Sequence, residues 1–233
     1  MNILALDTSL GACSAAVLCT AAGTRRLSVR HVEMPRGHAE ALMPMVAKVL
    51  AEAGLAAPDL DLIAATVGPG SFTGVRIAIA AARGLALVTT AKLFGTDSLT
   101  VMAKVALMGG FEPHGPFAVA VDARRGMLYL GLYDEAGRRL DGPLLIAPDD
   151  AVTLVPKALR LAVGSGAQSL AEAAAMQSRA IEPGLAALQP DAAALAEIAL
   201  ASGLESGQTP ETLRPLYLRP PDAKPQAQTI GRR

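Results

Sequence analysis

Gly68-Pro69-Gly70-Ser71-Phe72-Thr73-Gly74-Val75-Arg76 is the stretch from which the fold is read. An apolar run, Asp61 to Val67, precedes it, and a small-residue segment, Ile77 to Leu87, follows it. Strand, glycine loop and helix is the layout of an anion cradle, because glycine lets backbone N–H groups approach a ligand at a helix N-terminus. The spacing is neither G-x-G-x-x-G nor G-x-x-x-x-G-K-[ST], and the loop holds no lysine. The layout predicts an α/β unit and does not by itself identify a nucleotide site.

On the N-terminal side, Asn2 to Leu6 is an apolar run ending at Asp7-Thr8-Ser9, which reads as a buried strand meeting a polar turn. Ala12–Cys19 and Arg25–Glu33, separated by Thr20 to Thr24, read as a hairpin paired with that strand. Leu42, Met45, Val46, Val49, Leu50 and Ala53 fall at helical spacing before Gly54, and Pro44 either starts or kinks that helix. A further helix is expected at 97–108. Gly109 to Pro116 is dense in glycine and proline and marks a boundary.

Beyond the boundary the pattern recurs. Phe117 to Val121 ends at Asp122 as the first strand ends at Asp7, and Met127–Tyr133 and Arg138–Ile146 form a second hairpin. Leu159 to Val163 leads into Gly164-Ser165-Gly166, with helices expected at 149–157, 167–177 and 191–202. The expected organisation is an N-terminal α/β lobe (1–110), a C-terminal α/β lobe (111–218) and a mobile tail (219–233).

The bulk numbers narrow the function classes. The 233 residues are 52% hydrophobic, 18% charged and 3% aromatic with no tryptophan, so alanine, leucine and valine build the core. Twenty-one basic residues balance 21 acidic ones, which leaves no electrostatic footprint for binding RNA or DNA alone. Cys13 and Cys19 are separated by roughly 20 Å in an extended strand, beyond disulfide reach, so two reduced, packed thiols are expected. Asp7 interrupts the first apolar run and no apolar stretch is long enough to span a bilayer. A soluble cytoplasmic protein is the expectation.

Duplicated lobes that open with strand, acid and hairpin resemble the actin-like ATPase superfamily of acetate kinase, sugar kinases, Hsp70 and actin. Within it, Ile3 to Ser9, Gly68 to Arg76 and Val121-Asp122-Ala123-Arg124-Arg125-Gly126-Met127-Leu128-Tyr129 closely resemble the bacterial TsaB (YeaZ) family. His38 ahead of Leu42-Met43-Pro44-Met45-Val46 and the near-terminal Pro215-Leu216-Tyr217-Leu218-Arg219 add to the likeness. The resemblance implies a dimerisation subunit in the machinery that places threonylcarbamoyl on N6 of adenosine 37 (t6A) in tRNAs reading ANN codons. It implies a catalytic paralogue, TsaD, and an ATPase subunit, TsaE, as partners, with a homodimer when the chain is alone. Transfer RNA is reached only through the complex.

Chemistry of its own is a separate question. TsaD-like members hold a metal through H-x-x-x-H, whereas here Leu42 stands four residues after His38, so a metallo-glycopeptidase is disfavoured and no metal is expected. Candidate nucleotide-binding residues by resemblance are Asp7, Thr8, Ser9, Asp122, Gly164 and Gly166, with Arg124 and Arg125 standing where glycines would admit phosphate. The same residues read equally as turn formers and strand-to-helix turns. No catalytic residue and no tightly bound cofactor are expected, with ATP or ADP at a complex interface as the alternative to none. An active ATPase or phosphotransferase on the same fold is the competing reading.

The segment 77–87 is small or apolar on nearly all faces, so it is either a helix sandwiched in the core or one partly covered by a partner. Given the resemblance, the expected partner interface comprises His38, Leu42, Met45, Val49, Gly74, Arg76, Ala78 and Ala81.

Overall fold

A computed structural model describes residues 1–21, 24–209 and 211–219. The hairpin tip Ala22-Gly23 and nearly all of the expected tail, residues 220–233, lie outside the described residues. Five strands build the first sheet: β1 (Asn2–Asp7), β2 (Ala12–Ala21), β3 (Thr24–Glu33), β4 (Leu62–Thr66) and β5 (Lys92–Thr96), in the order β3-β2-β1-β4-β5. β1 pairs antiparallel with β2 and parallel with β4. Ile3 to Leu6 of β1 and Leu62 to Ala65 of β4 are continuous apolar runs, as strands covered on two faces must be.

The second sheet repeats this plan. β6 (Phe117–Asp122), β7 (Leu128–Tyr133), β8 (Arg139–Ile146), β9 (Leu161–Val163) and β10 (Glu182–Gly184) run in the order β10-β9-β6-β7-β8. β6 takes the place of β1, antiparallel to β7 and parallel to β9. This is the duplicated, two-lobed α/β plan of the actin-like fold. Each lobe is longer than the βββαβα unit expected from the sequence, because a fifth strand and a further helix follow. The strands β5 and β10 escape a pattern reading for a simple reason. They are short, and β10 contains Pro183, which only an edge strand tolerates.

Among the described residues six α-helices cover the sheets: α1 (His38–Ala53), α2 (Phe72–Leu87), α3 (Ser98–Met108), α4 (Pro148–Leu154), α5 (Ala167–Met176) and α6 (Ala192–Ser202). On one face of the first sheet, Leu42, Val46 and Val49 of α1 and Val75, Ala78, Ile79 and Ala82 of α2 pack against Leu4, Leu6, Ala15 and Val17. Pro44 lies inside α1 and removes the donor that the Glu40 carbonyl would otherwise receive. Cys13 and Cys19 lie buried and unpaired in the same cluster, on one face of β2. α4 and α5 cover the second sheet in the same manner.

The two inner faces are covered by exchange. Ala192, Leu195, Ala196 and Ala199 of α6 pack on Ile3, Ala5, Ala16 and Leu18 of the first sheet. Leu99, Met102 and Ala103 of α3 pack on Phe117, Val119 and Tyr133 of the second. α3 and α6 also touch each other, so each lobe's last helix serves the other lobe's sheet. Alanine on α6 lets helix and sheet approach closely without aromatic bulk, which accounts for a core built with so few rings. Among the described residues no helix is long and apolar enough to cross a membrane.

Candidate functional site

The glycine stretch does not remain a loop through Arg76. Ser71 is the N-cap of α2, its Oγ accepting the Gly74 N–H at 2.9 Å, so the helix begins at Phe72 and Gly74 stands in its first turn. The reason Gly74 and Gly70 must be glycine is the β1 turn. A Cβ on Gly74 would lie 2.0 Å from the Thr8 carbonyl oxygen, and one on Gly70 would lie 2.2 Å from that of Ser9. The Thr8 hydroxyl donates to the Gly74 carbonyl at 2.6 Å, and the Ser71 N–H donates to the Ser9 carbonyl at 2.8 Å. The space an anion would need beside these glycines is filled by the chain's own backbone.

Asp7, Thr8 and Ser9 are consequently all buried. Asp7 Oδ1 accepts hydrogen bonds from the Ser9 hydroxyl (2.7 Å), the Ser9 N–H (3.4 Å) and the Thr66 hydroxyl, while Oδ2 has no hydrogen-bond partner. Burial pushes the Asp7 carboxyl up to about 6, although the bonds from Thr66 and Ser9 and the charge of His31 oppose the rise. His31 Nδ1 lies 3.0 Å from Asp191 Oδ2, and that bond raises the imidazole against the opposing effect of burial, with Asp191, Asp7 and Glu33 adding their charges. Asp191 is also the N-cap of α6, accepting the Ala193 N–H at 2.6 Å. A polar cluster thus joins β1, β3 and the helix that arrives from the other half of the sequence.

The second lobe repeats the arrangement with the opposite exposure. Asp122 Oδ1 accepts the Arg124 N–H at 2.7 Å, the same i to i+2 bond that links Asp7 to Ser9. Gly166 approaches Val121 and Asp122 as Gly70 approaches Ser9, with its N–H donating to the Ala120 carbonyl at 2.9 Å, and Ser165 Oγ accepts the Asp122 N–H at 3.1 Å. A Cβ on Gly164 would lie 2.5 Å from the Ala120 oxygen. Gly164 and Gly166 are buried by this packing, whereas Asp122 is exposed. Of the six residues expected to hold a nucleotide, five are therefore enclosed by the chain itself. The turn beyond Asp122 places Arg124 (φ 65°) and Arg125 (φ 57°) in the left-handed region before Gly126 (φ 70°).

The expected partner interface divides in the same way. Leu42, Val49, Gly74 and Ala78 are buried in the first lobe's own core, so a partner cannot reach them, and this part of the expectation is corrected. Met45 and Ala81 are half-buried and Arg76 is exposed. His38 opens α1 with its Nε2 buried and unbonded, and with Leu42 in the core the helical histidine pair required for a TsaD-type metal is not present. On the outward side of α1 and α2 and at the α2 cap, large apolar side chains are exposed: Leu87 80%, Val88 72%, Phe72 57% and Met43 45%.

The near-terminal Pro215-Leu216-Tyr217-Leu218-Arg219 belongs to a strap whose role the sequence alone did not show. The Gln208 and Leu93 backbones bridge at the edge of β5, Leu213 is fully buried, and the Leu216 N–H donates to the Val67 carbonyl at 2.7 Å. Tyr217 stacks on Phe72 with centroids 5.6 Å apart and accepts from Arg76 Nε at 2.7 Å. Arg219 Nη2 then donates to the Ala123 carbonyl at 3.0 Å. The strap ties the start of α2 to the exposed turn of the other lobe.

A family model described as "TsaD: tRNA N6-adenosine threonylcarbamoyltransferase" matches residues 32–212. The solved structure of YeaZ from Pseudomonas aeruginosa superimposes with a TM-score of 0.77 at 32% identity, covering 93% of this chain and all of that one. The chain belongs to the TsaB (YeaZ) family. The curated TsaB of Escherichia coli is 40% identical over 142 residues, a stretch that spans 59% of this chain and 58% of that protein. An uncharacterised Mycobacterium tuberculosis protein is 33% identical over 97% of this chain and 95% of its own length. The TsaB family resemblance seen in Gly68 to Arg76 thus extends through both lobes.

Proposed function

We propose that this chain is a non-catalytic dimerisation and scaffold subunit for threonylcarbamoyl transfer to N6 of adenosine 37 in tRNAs reading ANN codons. It acts by binding a TsaD-type catalytic paralogue. The name of its E. coli relative, a tRNA threonylcarbamoyladenosine biosynthesis protein, supplies the pathway. The observation that carries the scaffold role is the sealed turn: Asp7, Thr8 and Ser9 are closed over by Gly70 and Gly74, while the outward side of α1 and α2 keeps large apolar side chains in solvent. The working surface is that outward side, with Met43, Met45, Arg76, Ala81 and Leu87, and no nucleotide is held by the lone chain. Docking there selects the transfer-competent conformation of the partner, a population shift with no chemical step on this subunit. A TsaE-like ATPase joins the pair, tRNA is met through the complex, and the lone chain self-associates through the same surface.

The test is reconstitution. The purified catalytic subunit with TsaE should modify tRNA only when this chain is added, and equal modification without it defeats the proposal. Calorimetry with ATP and Mg²⁺ on the lone chain separates the competing ATPase reading, which requires turnover that Asp7→Asn removes.

A further inference from the structure

Between α2 and the strap lies a cavity of about 670 Å³ whose walls include Arg76, Arg83 and Arg214 with Ile79, Ala80 and Tyr217. Arg76 lies 3.5 Å above the Phe72 ring, its Nε bonded to the Tyr217 hydroxyl. Arg83 Nη2 donates to the Leu213 carbonyl at 2.5 Å, and its Nε is buried without an acceptor. Arg214 Nε donates to the Glu211 carbonyl at 3.0 Å. Among the described residues, none of the three lies within ion-pair distance of a carboxylate.

Arg160, Arg179 and Arg219 are likewise held by carbonyl oxygens, so what sets this place apart is that three such guanidinium groups share one cavity. The chain's acids and bases balance, and Arg25, Arg30, Arg138 and Arg139 each meet a carboxylate, those of Glu197, Glu52, Asp134 and Asp97. Here the three guanidinium groups are oriented by ring stacking and carbonyl oxygens, and the charge of Arg83 is also felt by the exposed Glu211 carboxylate nearby. The cavity opens beside α2, the helix whose last turn and cap carry the exposed Leu87 and Val88. An occupant that covers the apolar side of α2 therefore meets Arg76 and Arg83 on the same helix and Arg214 on the strap beside it.

We infer that the cavity receives carboxylate side chains from the protein that docks on α2, so that this partner presents an acidic segment at Arg76, Arg83 and Arg214. The inference rests on the docking reading above and names the chemistry by which the surface chooses its partner. Charge of this kind steers association and raises its rate more than it adds area. Two copies of this chain would each bring the same arginines, so the cavity favours an acidic partner over self-association.

Calorimetric titration of the purified TsaD-type catalytic subunit into the full chain, at ionic strengths of about 0.01 M and about 0.15 M, tests this. Arg214 is exposed, so Arg214→Glu should keep the wild-type melting temperature. It should weaken association at least about tenfold at the lower ionic strength and clearly less at the higher. Arg214→Lys should stay within about twofold of wild type, because the charge remains. The neutral pair Met43→Gln with Leu87→Gln should weaken association alike at both salt concentrations. If that pair weakens binding while Arg214→Glu leaves affinity and salt dependence unchanged, the acidic-partner inference is wrong and docking stands. Binding of inorganic pyrophosphate by the lone chain, with association indifferent to Arg214→Glu, also overturns it in favour of a small-anion site. A wild-type chain that does not associate at either salt overturns both readings.

Discussion

The turn after β1 and the turn after β6 have the same topology, the same aspartate and the same i to i+2 hydrogen bond, yet they meet opposite environments. Asp7 is buried with one oxygen unpaired, and Asp122 stands in solvent beside Arg124, whose Nη1 lies 3.6 Å from its Oδ2. In the first lobe the glycines press directly onto the turn itself, at Thr8 and Ser9. In the second they press one to three residues earlier, on Ala120 to Asp122, so the turn beyond stays free. Duplication preserved the strand order and the close approach. The few residues between close approach and turn decide which acid is reachable.

The sharpest way to break this comparison is to add one methyl group to each lobe. Gly74→Ala drives its Cβ into the Thr8 carbonyl oxygen, a backbone atom that cannot step aside, and should cost more than about 3 kcal/mol or abolish soluble expression. Gly166→Ala meets first the end of a flexible side chain, Leu128 Cδ2 at 2.6 Å, and should cost about 1–2 kcal/mol in urea unfolding. Equal costs would mean that the two glycine turns are equally enclosed.

The buried acid should also show in the pH dependence of stability. Because the Asp7 pKa in the folded chain is raised from 3.8 to about 6, the folded state holds the proton more tightly than the unfolded state. Stability should fall as pH rises from about 4 to about 6 and stay low above that. Between pH 5 and pH 8 the loss from this group is about 1–2 kcal/mol, and Asp7→Asn should remove it. The raised His31 adds a separate loss at higher pH, as the imidazole gives up the proton that pairs it with Asp191. An unaltered slope in the Asp7→Asn chain would show that its carboxyl is hydrated.

The smallest effect concerns the exposed turn. Arg124 occupies the left-handed region at φ 65°, so Arg124→Gly should stabilise the chain by up to about 1 kcal/mol. Arg219→Ala, which removes the donor to the Ala123 carbonyl, should destabilise it by about 1 kcal/mol. Thermal melts of the two variants read these opposite signs directly.

Much of the fold was legible because its signals are local. Asp61 to Leu87 read as strand, glycine turn and helix from apolar runs and punctuation, and the recurrence of strand, acid and hairpin at Phe117 exposed the duplication. The helix start was misplaced by five residues because Phe72 to Arg76 look like loop until Ser71 is seen capping Gly74. The site was less legible. The family resemblance places Leu42, Val49 and Ala78 at an interface, but a resemblance does not say what covers each side chain, and here the first sheet does. The strap left a trace in Pro215 to Arg219, but its contacts with Phe72, Arg76 and Ala123 lie far along the chain.

By itself the sequence determined the strand and helix alphabet, the duplication and the family, because hydrophobic period, glycine placement and short motifs act over a few residues. Only the tertiary structure decided what Gly68 to Arg76 does. The bond from Thr8 to Gly74 closes a separation of 66 residues, and α6 reaches β1 from the far end of the chain. No local pattern encodes who meets whom across such a distance, and that meeting turned an apparent anion cradle into a packed joint.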